Sequence, residues 1–312
     1  MPTSSVDLSV ELGGLNLKNP VVAASGTFGT GMDLAAYVNP ADLGAVTVKS
    51  LSAFPWEGNA PPRLKTTPGG MLNTVGLQNP GIDAWSRSEY PELAETGATI
   101  IASVWGRSPG EFAEAASLVS RMTDIRAIEL NLSCPNLESS SSMFAHSSLL
   151  TGEVIRVVRA AIPDRDITLL AKLSPNTTEL VSVATAAVEA GADALTLINT
   201  VLGMSIDPSS GRLSTSRAPA GLSGPAIRPI AVRCVHEVAT ALPDVPVIGT
   251  GGVTDGESAV EMMRAGATAV GVGTASFFDP RATTKIVTQL QAFCRRHRVT
   301  RVSELTGALD TT

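Results

Sequence analysis

Residues 246–275 read PVIGTGGVTDGESAVEMMRAGATAVGVGTA, and they decide the fold class. An apolar run, Pro246–Gly249, leads to the pair Gly251–Gly252. A helical pattern follows over Gly256–Ala265. Gly266-Ala-Thr then opens a second apolar run, Ala269–Val272, which ends at Gly273–Thr274. Glycine takes the left-handed conformation that closes a helix just before a strand. The segment is a βαβ unit, and its strands are apolar throughout, as strands of a parallel sheet covered on both faces must be.

The same unit recurs along the chain. Further apolar runs lie at Val21–Ala24, Ala45–Val48, Thr99–Val104, Ala127–Leu130, Thr168–Leu173 and Ala194–Ile198. Helical patterns lie at Pro109–Met122, Thr151–Ala161, Thr178–Ala190 and Ala226–Leu242. The junctions Gly97-Ala-Thr and Gly191-Ala-Asp repeat Gly266-Ala-Thr. This alternation predicts an α/β fold, a TIM (β/α)₈ barrel rather than an open sheet, as a single domain over residues 1–312. Ahead of it, Leu8–Glu11 and Leu15–Leu17 predict a hairpin around Gly13–Gly14. Two connections, Leu51–Asn79 and Thr200–Ser223, are long and rich in Gly, Pro, Ser and Asn. They predict loop insertions on the face where barrels build their sites. The Ser-rich stretch Leu137–Ser148 is read as a loop.

Composition narrows the function. The 312 residues are 44% hydrophobic and 17% charged, which suits a full core and excludes a disordered chain. With 23 Lys+Arg against 29 Asp+Glu, the net charge of −6 argues against a nucleic-acid binder. No apolar run reaches the roughly 18 residues of a membrane span. Met1–Asp7 has neither a basic nor an apolar leader. A cytoplasmic location with reduced thiols is the expectation. Cys134, Cys234 and Cys294 form no CxxC, and His146, His236 and His297 are scattered, so no metal site is expected.

The strand ends carry the candidate site: Ser25, Lys49, Ser103, Asn131, Lys172, Asn199, Gly251–Gly252 and Gly273–Thr274. Two lysines at the ends of apolar strands require counter-charge. The glycines after the last two strands let backbone amides approach a phosphate, and Gly224–Pro225 adds a helix start. With no GxGxxG after the first strand, the expected ligand is mononucleotide-like. Asn73, Asn131, Asn136 and Asn199 suit a planar ring edge with alternating C=O and N–H groups, although asparagine also simply favours turns. In NLSCPN (Asn131–Asn136), Cys134 lies beside Ser133 and Asn136, a polar setting in which a thiol can serve as a base. Cys234 and Cys294 lie on helical patterns and read as small buried hydrophobes.

NLSCPN, GMLNTVGLQNPG (Gly70–Gly81), KLSPN (Lys172–Asn176), INT (Ile198–Thr200), GLSGPAI (Gly221–Ile227), GTGGV (Gly249–Val253) and GVGTA (Gly271–Ala275) together resemble the class 1 dihydroorotate dehydrogenases over nearly the whole chain. GLQNPG resembles the B-type catalytic subunit, which passes electrons to NAD⁺ through a partner. The resemblance implies FMN as cofactor, with its phosphate on Gly251, Gly252, Gly273 and Thr274 and with Gly224 nearby. It places Ser25, Lys49, Ser50, Ser103, Asn131, Lys172 and Ile198 around the flavin. It places Lys49, Asn73, Thr74, Val75, Gly76, Leu77, Asn131, Asn136, Asn199 and Thr200 around dihydroorotate, with Cys134 as the base. It implies a partner subunit carrying FAD and a [2Fe-2S] cluster, and a homodimeric core within a heterotetramer. Two departures stand out: Ser103 where the family often has Asn, and a loop after Cys134 richer in serine than in glycine. The competing readings are a fumarate-using class 1A enzyme, another FMN barrel reductase, a flavin-free phosphate-binding isomerase and a non-catalytic scaffold.

Overall fold

In the computed structural model, residues 6–133, 143–162 and 166–310 are described. The strands in chain order are β1 (Val10–Leu12), β2 (Leu15–Leu17), β3 (Val21–Ala23), β4 (Ala45–Thr47), β5 (Leu64–Thr67), β6 (Gly70–Asn73) and β7 (Ile100–Val104). They continue with β8 (Ile125–Asn131), β9 (Thr168–Lys172), β10 (Ala194–Leu197), β11 (Val201–Gly203), β12 (Ala220–Ser223), β13 (Val247–Thr250) and β14 (Ala269–Val272). The helices are α1 (Ile82–Arg87), α2 (Glu89–Glu95), α3 (Pro109–Val119), α4 (Ser148–Ala161), α5 (Leu180–Glu189), α6 (Arg228–Ala241), α7 (Gly256–Arg264), α8 (Ala275–Phe278) and α9 (Ala282–His297).

Eight strands close into a parallel barrel in the order β3-β4-β7-β8-β9-β10-β13-β14. Each is a run anticipated from the sequence, because burial on both faces leaves an uninterrupted apolar signature. β7, β9, β10 and β14 are buried at every position. The helices between them begin at local signals. The Ser108 side chain caps α3 ahead of Pro109, Ser147 caps α4, and Asp255 forms a capping box with Ser258 on α7. Gly97, Gly191 and Gly266 all have positive φ where the chain turns from helix to strand, as the repeated junctions predicted.

The hairpin plugs the bottom of the barrel. Thr168 at the start of β9 donates to the Gly13 carbonyl at 2.9 Å. Its first strand is Val10–Leu12 rather than the predicted Leu8–Glu11, and its second is Leu15–Leu17 as predicted. Gly13 and Gly14, both at positive φ, form a two-residue turn that forces Leu12 to pair with Leu15 and Val10 with Leu17. Other boundaries also move. Pro225–Ile227 is a 3₁₀ turn, so α6 begins at Arg228 rather than Ala226. Helix α4 begins at Ser148, the last residue of the predicted loop.

The two long connections are not plain loops. Their strands join in one antiparallel sheet, β11-β12-β6-β5, that roofs the barrel mouth. β12 pairs with β6 through Gly221–Asn73 and Ser223–Met71, so each insertion completes the other. Among the described residues, no helix is long and apolar enough to cross a membrane.

Candidate active site

A cavity of about 400 Å³ opens at the C-terminal ends of the barrel strands, within the usual range for a small-molecule site. Every barrel strand delivers a wall residue at or just beyond its end: Ser25, Lys49 with Ser50, Trp105, Asn131, Lys172, Ile198 with Asn199, Gly251 with Gly252, and Gly273 with Thr274. The roof sheet adds Leu64, Met71, Asn73 and Ser223. The loop after β6 adds Val75, Gly76 and Leu77, and Thr200 and Gly224 complete the predicted set on the wall.

Two of the described predicted residues, Ser103 and Thr74, are not on that wall. From β7 the wall residue is Trp105. Ser103 is fully buried, and its hydroxyl meets Ser50 Oγ at 2.9 Å, so it reaches the site only through Ser50. Depth along the strand is the cause: Ser103 and Trp105 face one way, but only Trp105 lies beyond the strand end, where the barrel opens. Thr74 is likewise turned back between its cavity-lining neighbours Asn73 and Val75, with its hydroxyl 3.2 Å from Ser216 Oγ. Cys134 and Asn136 lie outside the described residues. Ser133, the last described residue before them, is on the cavity wall, and its buried hydroxyl has no partner among the described residues.

The interior polar groups form a layer of two hydrogen-bonded chains. Lys172 Nζ donates to Ser25 Oγ at 3.0 Å and pairs with Glu129 Oε1 at 3.4 Å. Thr196 Oγ1 donates to the other carboxylate oxygen at 2.9 Å. Glu129 thus supplies the counter-charge that Lys172 requires. The sequence held the signal, a lone carboxylate within the apolar run of β8, but its partner could not be read from spacing. Beside this pair, Asn199 Nδ2 donates to Asn131 Oδ1 at 3.2 Å, and Asn131 Nδ2 donates to Ser50 Oγ at 3.1 Å. Asn199 Oδ1 accepts from the Thr200 backbone N–H at 2.7 Å, which fixes the start of β11 against the barrel.

The opposite wall is backbone-rich. Gly224, Gly251 and Gly252 have φ of +101°, +129° and +79°. A Cβ on Gly252 would stand 2.5 Å from Arg228 Cβ, so this glycine is demanded by the protein's own packing. Gly273 differs. A Cβ there would meet nothing nearer than Thr27 Cγ2 at 3.7 Å and Ala24 Cβ at 3.8 Å, both on the cavity wall. Packing alone does not require a glycine at that position, whereas an occupant of the cavity would. Thr274 Oγ1 donates to Ser223 Oγ at 2.7 Å, and the Thr250 hydroxyl is buried on the wall without a partner. Small residues and free polar atoms facing open space fit a phosphate-bearing ligand.

Sequence reasoning missed an aromatic rim. Phe54, Trp56 and Trp105 meet edge to face, with centroids 5.8–6.2 Å apart. The Arg107 guanidinium lies 4.5 Å above Phe54. Trp56 is pinned by its indole N–H on the Gly76 carbonyl at 3.0 Å. The FPW triplet at 54–56, aromatic within an otherwise polar insertion, was the available signal. The remaining cysteines behave as core: Cys234 in α6 and Cys294 in α9 are buried, and burial pushes both thiols up.

A sequence profile of the dihydroorotate dehydrogenase family matches residues 7–294. The dihydroorotate dehydrogenase B (NAD(+)) catalytic subunit of Geobacter metallireducens is 44% identical over 304 residues, covering 97% of this chain and 98% of that protein. The proteins of the same name from Alkaliphilus metalliredigens (42% over 306 residues, 98% of this chain and all of that protein) and Bacteroides thetaiotaomicron (43% over 304 residues, 97% and 99%) match as fully. With a family match across the barrel and relatives this similar from end to end, the chain belongs to the dihydroorotate dehydrogenase family.

Proposed function

We propose that this chain is the catalytic subunit of an NAD⁺-linked dihydroorotate dehydrogenase, oxidising (S)-dihydroorotate to orotate in pyrimidine (UMP) biosynthesis with FMN held in the barrel mouth. The carrying observation is the two-sided cavity: a layer of lysine, asparagine and serine on one wall faces a glycine-lined wall with space at Gly273.

The glycine wall, with Thr274 and Gly224, would hold the phosphate of FMN. Ser25, Lys49, Ser50, Asn131, Lys172 and Ile198 would line its ring. Bound FMN supplies a two-electron acceptor for the hydride that leaves C6 of the substrate. Lys172, on the cavity wall, would present a positive charge to the bound ring, and a charge fixed in advance needs no reorganisation during the reaction. Asn73, Asn131, Asn199 and Thr200 present the donors and acceptors that a pyrimidine edge requires, and Lys49 provides a cation for its carboxylate. Cys134 takes the C5 proton. Ser133, immediately before it in the sequence, lies on the cavity wall, which supports this reading.

Orotate leaves two electrons behind, and they must exit. The relatives' name, catalytic subunit, points to a separate subunit, and we assign that partner the FAD and [2Fe-2S] relay to NAD⁺, around a homodimeric core. The test is anaerobic mixing of the purified yellow protein with dihydroorotate while following flavin absorbance. Rapid bleaching with release of orotate is expected. Colourless protein, or flavin that dihydroorotate does not bleach, overturns the reading.

A further inference from the structure

The barrel interior holds one ion pair that stability does not explain. Glu129 is 2% exposed and Lys172 6%. Both face the barrel axis, Glu129 on the same side of β8 as Asn131 and one layer deeper. Replacing a buried pair with apolar residues of similar volume is commonly neutral or stabilising, and Leu170, beside Glu129 in the β8–β9 pairing, is apolar. The carboxylate is also held firmly. Thr196, which stands opposite Lys172 in the β9–β10 pairing, donates to Glu129 Oε2, leaving Oε1 toward the ammonium. An ammonium has three N–H donors, of which Ser25 and Glu129 engage two, and Lys172 is itself on the cavity wall.

We infer that Glu129 is a positioning residue that moderates the charge of Lys172 at the cofactor, so that the site releases electrons as well as accepting them. The inference rests on the FMN reading above. On taking up two electrons and one proton, the flavin ring gains one negative charge. An unopposed ammonium would favour the reduced ring strongly and hold the electrons. A carboxylate fixed behind the ammonium weakens that preference while leaving the ammonium in place. A catalytic subunit that must hand its electrons to a partner each turnover requires this compromise.

The test refills the apoprotein with FMN and measures its midpoint potential by dye equilibration. Relative to free FMN, this gives the ratio of dissociation constants for oxidised and reduced FMN. Glu129→Gln is expected to move that ratio toward tighter binding of reduced FMN by on the order of tenfold. Lys172→Met is expected to move it the other way. Glu129→Asp keeps the charge but withdraws it by one methylene, and should fall between wild type and Glu129→Gln. Reoxidation of the reduced protein should slow in Glu129→Gln. An unchanged ratio, or one that moves in the same direction in Glu129→Gln and Lys172→Met, marks the pair as structural and overturns the inference. If Glu129→Gln does not fold, a shift of Glu129→Asp toward oxidised FMN overturns it alone. These failures leave wild-type bleaching by dihydroorotate intact, whereas wild-type protein that binds no FMN overturns both readings.

Discussion

Gly252 and Gly273 both line the glycine wall, yet the structure assigns them opposite costs. An alanine at 252 must adopt φ near +79°, with its Cβ driven to 2.5 Å from Arg228 Cβ at the start of α6. Left-handed backbone costs a non-glycine residue roughly 1–2 kcal/mol, and overpacking adds about 1–3 kcal/mol. Gly252→Ala should therefore lose about 2–5 kcal/mol of stability, even without cofactor. At 273 the backbone has no positive φ and the new methyl meets only ordinary contacts at 3.7 and 3.8 Å. Gly273→Ala should leave the apoprotein as stable as wild type or up to about 1 kcal/mol more stable, because alanine restricts the unfolded chain. Its methyl enters the space assigned to the phosphate. Displacing that group from one charge-assisted hydrogen bond costs about 1.5–3 kcal/mol, a weakening of roughly 10- to 150-fold in FMN affinity. Thermal unfolding of apoprotein and fluorescence titration with FMN measure the two quantities separately. Wild-type FMN affinity in a well-folded Gly273→Ala protein would refute the placement of the phosphate.

Cys134→Ala should retain FMN and slow its reduction by dihydroorotate by about 10²-fold or more in stopped-flow absorbance, whereas Cys234→Ala should preserve that rate and lose stability as a core cavity. Burial pushes the Asp255 carboxyl up, but hydrogen bonds from Ser258 and Thr254 outweigh it and hold it below the usual carboxylate range. Its cap on α7 is thus intact above the ordinary carboxylate pKa and lost as pH falls through the depressed one. Asp255→Ala should cost about 1 kcal/mol in urea unfolding at neutral pH, and the difference should shrink in acid. The chain alone should be bleached by dihydroorotate but reduce NAD⁺ slowly, and addition of the flavin and iron–sulfur subunit should switch NAD⁺ reduction on. Rapid steady-state turnover with fumarate by the lone chain would overturn the B-type assignment.

The barrel was legible because its strands are buried on both faces, so composition alone marks them. The roof sheet was not. β5, β11 and β12 are three or four residues long, and the Asn73–Gly221 pairing joins positions that no local period connects. Helices α1 and α2 escaped for a related reason: six and seven residues, broken at Ser88 and carrying Pro91, give too few turns for a periodic stripe. Most of the candidate residues lie at strand ends around one cavity, since a barrel puts those ends around one mouth. What failed was depth. Thr74 sits one alternation away from the wall, and Ser103 and Glu129 sit a layer beneath it, differences of side-chain direction and depth that spacing along a single strand does not reveal.

The polar layer divides the barrel along its axis. Below it, the interior is apolar and closed by the hairpin through Thr168 and Gly13. Within it, bonds of 2.9–3.4 Å link Ser25, Lys172, Glu129 and Thr196 in one chain and Ser103, Ser50, Asn131 and Asn199 in another. Such a layer is costly unless every member is satisfied, because an orphaned polar group in a low-dielectric interior forfeits its hydration. Partial removal should therefore cost more than it appears to from any single bond. Ser50→Ala would leave the Asn131 amide and the Ser103 hydroxyl seeking partners together. The same mutual satisfaction fixes the lysine and asparagine side chains before any ligand arrives. A site organised in this way spends little binding energy on ordering itself, and its polar atoms on the cavity wall, Thr250 Oγ1 and Ser133 Oγ among them, are left for the ligand to satisfy.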